Sequence, residues 1–175
     1  MNTEERRVKL LERLEGATQA LTGTLLASEL KVSRQIIVGD IGIIRAMGKN
    51  IYATPRGYII PTEEKEKKRI VATITCRHDM EGLRRELEVI VDNGGKVRDV
   101  IVEHPLYGEI RCDLFLSTRR DVISFLRRME KCKATPLLIM TGGVHLHTIE
   151  VPDEETINVI RRDLRQEGIL IENEN

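Results

Sequence analysis

The chain holds four histidines, His78, His104, His145 and His147, and none precedes residue 78. Imidazole is the commonest protein ligand for transition metals and coordinates through either ring nitrogen. His145 and His147 form an H-x-H pair. On a strand, alternate residues share a face, so the two rings would lie about 7 Å apart and could converge on one ion. Ile149 and Val151 continue that face and are apolar, so two imidazoles there need partners. The competing reading is a pair on a solvated sheet face. His78, at the end of a strand, and His104, before a proline turn, are unremarkable taken singly. Glu86 is the carboxylate to add, with one difficulty. A helix starting at Met80 would carry it about 9 Å up the axis from His78. A late start, for which Gly82 leaves room, would shorten that gap. Glu81 and Cys76 are local competitors, although a buried strand cysteine is the commoner state of such a thiol.

Three imidazoles and one carboxylate suit Ni, Zn, Fe, Co or Mn, one divalent ion per chain. Water on such an ion could act as a nucleophile, so a metal-dependent hydrolase fused to a helical domain is one reading. No HExxH, HxE…PCxxC, P-loop or GxSxG accompanies the ligands, so no catalytic residue is assigned and an enzyme is not expected. Sensing asks less: a ligand needs only to favour one geometry of the protein. A direct transition-metal sensor is the alternative within that class.

The elements that would position these residues fall into two groups. Thr3 can cap a helix to about Glu15, with Val8, Leu10, Leu11 and Leu14 inward. A short helix over Gly23 to Leu30 follows, with Leu25, Leu26 and Leu30 buried. Ser33 then caps a third helix whose inner set is Ile37, Ile41, Ile44 and Met47. Two short strands, NIYAT and YII, flank Pro55-Arg56-Gly57 and read as a hairpin with a basic tip. Three helices and a hairpin is the order of a winged helix-turn-helix, whose third helix enters the major groove N-terminus first. Ser33, Arg34 and Gln35 would meet the bases or phosphates, and Arg56 a minor groove or phosphate.

From residue 69 strands and helices alternate. RIVATITC is a strand. Asp79 can cap a helix to about Asn93, with Leu83, Leu87, Ile90 and Val91 on one face. VRDVIVEH and EIRCDLFL are strands around a Pro105–Gly108 turn. Ser117 opens a helix to about Lys131. PLLIMT and VHLHTIEV flank Gly142-Gly143 and read as a hairpin. Pro152-Asp153 starts the last helix, and ILI is a final short strand. Short connections imply antiparallel neighbours, so the fold class is α+β, an α/β sandwich on a mixed or antiparallel sheet. The expected domains are 1–61 and 69–175, with the charged stretch 62–69 as their boundary.

With 41% hydrophobic and 32% charged residues, the chain is globular rather than disordered. Its net charge of zero hides an asymmetry: 9 Lys/Arg against 6 Asp/Glu in residues 1–60, and 19 against 22 afterwards. A mildly basic first part fits a nucleic-acid reader. Three cysteines without CxxC spacing argue for a reducing compartment. With a charged N-terminus and no apolar run of about 20 residues, a cytoplasmic protein with no membrane contact is expected.

These residues also carry a family resemblance. LTGTLLASELKVSRQIIVGDIGIIRAMGKNIYATPRGYII resembles the winged-helix module of biotin-repressor-like regulators. The remainder resembles the 3H domain in its His78, HPLYG and HLH motifs. In this order, the motifs resemble those of the nicotinate-responsive transcriptional repressors of bacterial NAD metabolism, over essentially the whole chain. The resemblance implies a homodimer that binds double-stranded operator DNA and represses genes of niacin uptake or NAD synthesis, with nicotinic acid as corepressor. It maps the metal ligands onto His78, Glu86, His145 and His147. His104 and Tyr107, in the HPLYG turn, are expected near the effector. The adenylate loop of the biotin-repressor ligases is missing, so ligase activity is not implied.

Overall fold

In the computed structural model, which describes residues 2–61 and 69–172, the chain divides into two units, Met1–Lys65 and Glu66–Asn175. Apart from Arg69, the charged stretch 62–69 lies outside the described residues.

The first unit runs α1 (Thr3–Glu15), α2 (Gly23–Leu30), α3 (Arg34–Ala46), β1 (Tyr52–Thr54) and β2 (Gly57–Ile59). The cap of α1 is Asn2 rather than Thr3. Asn2 accepts from Glu5 N at 2.9 Å, and Glu5 returns a bond to Asn2 N at 3.0 Å. Such a reciprocal box needs a carboxylate three residues on; Asn2 has one, whereas Thr3 has Arg6 there. Ser33 caps α3 as expected, accepting from Ile36 N at 3.3 Å. Leu10, Leu14, Leu26, Ile37, Ile41, Ile44 and Ile51 form the core. Val8, Leu25 and Met47, expected inside, are 55%, 42% and 75% exposed. Met47 follows the last residue of α3, and in α2 Leu26 rather than Leu25 faces the core. The hairpin closes with Thr54 opposite Gly57, and β2 is pinned again by two bonds between Tyr58 and Leu21, of 2.8 and 2.9 Å. Gly57 has φ +126°, and a Cβ there would stand 2.3 Å from the Leu21 carbonyl oxygen.

The second unit runs β3 (Ile70–Arg77), α4 (Gly82–Asp92), β4 (Lys96–His104), β5 (Gly108–Leu116), α5 (Arg119–Cys132), β6 (Val144–Val151) and α6 (Glu154–Gln166). The sheet is antiparallel throughout, in the order β3-β6-β4-β5, which makes the fold α+β. Its core includes Leu87, Ile90, Val97, Leu116, Ile149, Ile160 and Leu164.

PLLIMT is not a strand: Leu137–Thr141 is a 3₁₀ turn. β6 already has β3 on one edge and β4 on the other, so no edge is left for a hairpin partner. The turn closes on itself through Gly143 N to Leu138 O at 2.8 Å and through Thr141 Oγ1, which bonds the Leu138 and Val144 carbonyls. Thr118, not Ser117, caps α5, because Asp121 completes a capping box with it. The final ILI segment makes a single bridge, Leu170 opposite Cys76, along the outer edge of β3. Among the described residues, no helix is long and apolar enough to cross a membrane.

Candidate functional site

Glu86 lies in the buried stripe of α4 with Leu83, Leu87 and Ile90, and it is fully buried. A carboxylate there is costly unless charged partners surround it. Three imidazoles do. His78 Nε2 stands 2.7 Å from Glu86 Oε2. His145 Nε2 lies 3.0 and 3.1 Å from the two carboxylate oxygens. His147 Nε2 lies 3.4 Å from Oε2, within ion-pair reach but without a hydrogen-bond partner. The rings stand edge to face, His78 to His145 at 4.8 Å and His145 to His147 at 5.0 Å between centroids.

The gap between His78 and Glu86 is short because α4 begins at Gly82, two residues later than Met80. Asp79 holds that start by accepting from the Glu81 and Gly82 amides at 2.9 and 3.3 Å. A Cβ at Gly82 would lie 2.6 Å from His78 Cβ, so only glycine lets the helix end approach the ring. Gly143, with φ +94°, packs against the His78 backbone in the same way; its Cβ would be 2.3 Å from His78 O.

Each ring is also held from behind. His78 Nδ1 lies 2.6 Å from the Asp79 carbonyl, His145 Nδ1 2.9 Å from that of Gly143, and His147 Nδ1 2.6 Å from that of Asp99. A carbonyl only accepts, so each Nδ1 carries the proton. In the neutral ring Nε2 is then a lone pair, and three such lone pairs face a carboxylate that also only accepts. Four acceptors meeting at one point call for a cation, either shared protons or a metal ion. Outer contacts of this kind, carbonyl to Nδ1–H, orient histidines in metal sites. His78, Glu86 and His145 offer atoms within 4.8 Å of one another.

Protons feel the same field. Burial alone would raise the Glu86 carboxyl, but the imidazoles, His147 foremost, hold it well below the usual range. Burial disfavours charge on His78 and His147, yet Glu86 leaves both above the ordinary imidazole value. Cys76 is fully buried, and burial pushes its thiol far up, so it is the packed cysteine rather than a thiolate ligand.

Asp99 and Gly143 also belong to this arrangement, Gly143 marked by the sequence only as a turn residue and Asp99 not at all. Asp99 lies where the β4–β6 register shifts, between Val97 and Ile101. It gives its carbonyl to His147 and accepts Thr148 N on its carboxylate at 3.0 Å. A bulge of this kind leaves no signature in residue type.

His104 and Tyr107 have their described partners within the β4–β5 turn. His104 Nδ1 accepts the amides of Leu106 and Tyr107 at the β4–β5 turn, and its ring lies 4.9 Å from that of Tyr107, which is 73% exposed. A pocket of about 380 Å³ opens on the His78 side, lined by Arg77, Asp79, Leu138, Ile139 and the Gly142-Gly143 turn. In the first unit Ser33, Arg34, Gln35 and Arg56 are all exposed. The Ser33 hydroxyl caps α3, and the Arg34 side chain closes over Gly23 beside Tyr58.

Residues 71–173 match the 3H domain family and residues 6–59 an HTH domain family. The chain is 47% identical over 169 residues to the probable transcription repressor NiaR of Thermotoga maritima, covering 97% of this chain and 95% of that protein. It is 39% identical over 170 residues to the transcription repressor NadR of Bacillus subtilis, covering 95% and 93%.

Proposed function

Because the chain belongs to the 3H-domain family of helix-turn-helix transcription repressors, we propose that it represses genes of niacin uptake or NAD synthesis, with nicotinic acid as corepressor. In this reading a homodimer places two α3 helices in successive major grooves of an operator, about one helical turn or a multiple of it apart. His78, Glu86, His145 and His147 hold one divalent transition ion, Ni, Zn, Fe, Co or Mn. The observation that carries the metal assignment is the convergence of three Nε2 atoms on Glu86, with every Nδ1 tied to a carbonyl and His147 Nε2 buried without a hydrogen bond. A bound ion would supply the positive charge these acceptors lack and an attraction for the carboxylate of nicotinic acid.

The pocket beside His78 supports a small aromatic acid as effector. Leu138 and Ile139 give it an apolar wall and Arg77 a cation. Its volume of about 380 Å³ falls in the range of ligand clefts, about 300–1,000 Å³. It shares two structural members with the histidine cluster. His78 lines it, and the Gly143 carbonyl, on its wall, takes both His78 N at 3.3 Å and His145 Nδ1 at 2.9 Å. A ligand that presses on this turn therefore acts on the ring orientation directly. Operator affinity rises if the ligand-bound geometry is the one that matches half-site spacing.

The test is a thermal-shift screen of metal-loaded protein against nicotinic acid, nicotinamide, NAD and biotin, followed by duplex binding. A ligand of the native state raises the melting temperature by mass action. Nicotinic acid is expected to do so and to tighten duplex binding, and His145→Ala/His147→Ala to lose both the metal and the response. If that double variant still responds to nicotinic acid, the metal-dependent mechanism is wrong.

A further inference from the structure

The exposed side of α3 carries almost no charge. Between Arg34 and Arg45 the one ionisable side chain is Asp40, and it is buried against Arg6 and Arg7. The exposed arc holds Gln35, Ile36, Val38 and Ile43, and the three aliphatic residues are 41%, 40% and 41% exposed. Gly39 and Gly42 lie on the same arc, and a Cβ at either would meet nothing within 4 Å. The fold itself does not require glycine there, although both weaken the helix relative to alanine. The surface is thus apolar at its flanks and low at its centre, where a partner can approach the backbone closely.

What shares this arc sets the partner. Gln35 and Ile36 stand in the turn that follows the Ser33 cap. That turn meets base edges when a recognition helix enters a major groove. The major groove displays a single apolar group, the C5-methyl of thymine, while adenine offers N7 and N6–H₂ to a glutamine amide. Arg34, the side chain best suited to guanine, is drawn back over Gly23 towards Tyr58. We propose that Ile36 reads a thymine methyl group, with Gln35 on a neighbouring adenine and Val38 against a second methyl. The half-site beneath α3 is then an A·T step recognised largely by apolar contact. Phosphate attraction comes from outside the arc, from cations such as Arg56.

This inference rests on the DNA-binding reading above, and the test separates the two. The full chain, with nicotinic acid present, selects duplexes from a randomised pool. Affinities are then measured by fluorescence anisotropy for the selected site and for copies with each thymine replaced in turn by deoxyuridine. That replacement removes one methyl group and preserves pairing. One or two thymines per half-site are expected to lose about fourfold in affinity, the value of burying one methyl-sized group. Ile36→Ala should bind the thymine and uridine forms of one position equally, and Val38→Ala those of the other, both with unchanged melting temperatures. Full thymine preference in both variants overturns the inference and leaves the arc to a protein partner; a half-site of G·C pairs overturns it as well. If the wild-type chain enriches no duplex, the DNA-binding reading fails, and this inference with it.

Discussion

His78 Nε2 and Glu86 Oε2 approach to 2.7 Å across the start of α4, and the contact exists because residue 82 is glycine. An alanine Cβ there would lie 2.6 Å from His78 Cβ and 2.8 Å from Cγ. These are the near atoms of the side chain rather than its flexible end, so the ring would have to leave. Gly82→Ala is therefore expected to weaken metal binding about 10- to 100-fold, as loss of an orienting contact does. Competition with a chromophoric chelator measures it. Unchanged metal affinity would mean that His78 is not a ligand.

Glu86→Gln separates the charge of the carboxylate from its shape. The three Nε2 atoms face Glu86 as acceptors, and an amide offers two N–H donors in nearly the same volume. The metal-free variant should therefore be as stable as the metal-free parent to within about 1 kcal/mol, since hydrogen bonds from the amide to neutral rings replace those from protonated rings to the carboxylate. It should not gain stability from added Ni or Zn. The parent should gain about 2.7 kcal/mol at a metal concentration one hundred times Kd, and a chelator should remove that gain. Denaturant melts with and without metal, on both proteins, give the four numbers. Equal metal stabilisation in the two would exclude Glu86 from the ion's shell.

How much of this was legible before folding depends on which signals are local. The H-x-H spacing placed His145 and His147 on one face, and the apolar Ile149 and Val151 marked that face as buried. The Ser33 cap and the hairpin tip at Arg56 were readable because caps and turns need particular residue types. The meeting of His78 with Glu86 depended on where α4 begins, and helix starts are uncertain by a turn when two carboxylates, Asp79 and Glu81, compete for the cap. The Asp99 carbonyl was invisible because it follows from a register shift in β4. PLLIMT looked like a strand because a short apolar run carries no period; only the occupied edges of β6 decide against it.

Arg56 stands at the exposed tip of the β1–β2 hairpin, and Gly57 and Tyr58 hold that tip against Leu21. The backbone of the tip is thus held by these contacts. A phosphate contact from such a place adds affinity without adding sequence preference. Arg56→Ala should weaken binding to all duplexes alike and reduce the slope of log affinity against log salt by about 0.9. Titrations at several salt concentrations test it. A change in which duplex is preferred would point to a base contact in the minor groove instead.

Asp40 is the buried charge of the first unit, 3% exposed, with Arg6 Nε at 2.6 Å and Arg7 Nε at 3.0 Å. Burial acts to raise its carboxyl, and the two guanidiniums outweigh that and hold it below the ordinary range. A depressed folded-state value means that the folded form binds the proton less readily than the unfolded chain. The pair therefore contributes fully above the unfolded value of about 3.9, and the contribution fades as pH falls through the folded value. The structural role is to tie α1 to α3, the helix that carries Gln35 and Ile36. Asp40→Asn should cost about 1–3 kcal/mol near neutral pH, because it removes the negative charge and turns one accepting oxygen into an N–H₂ that faces a guanidinium. As pH falls through the folded value, below the ordinary carboxylate range, the variant and the parent should converge in stability, since the parent's own carboxylate becomes protonated. Urea melts of both proteins from pH 7 to pH 3 measure the difference. A gap that stays constant across that range would show that Asp40 acts through packing, not through its charge.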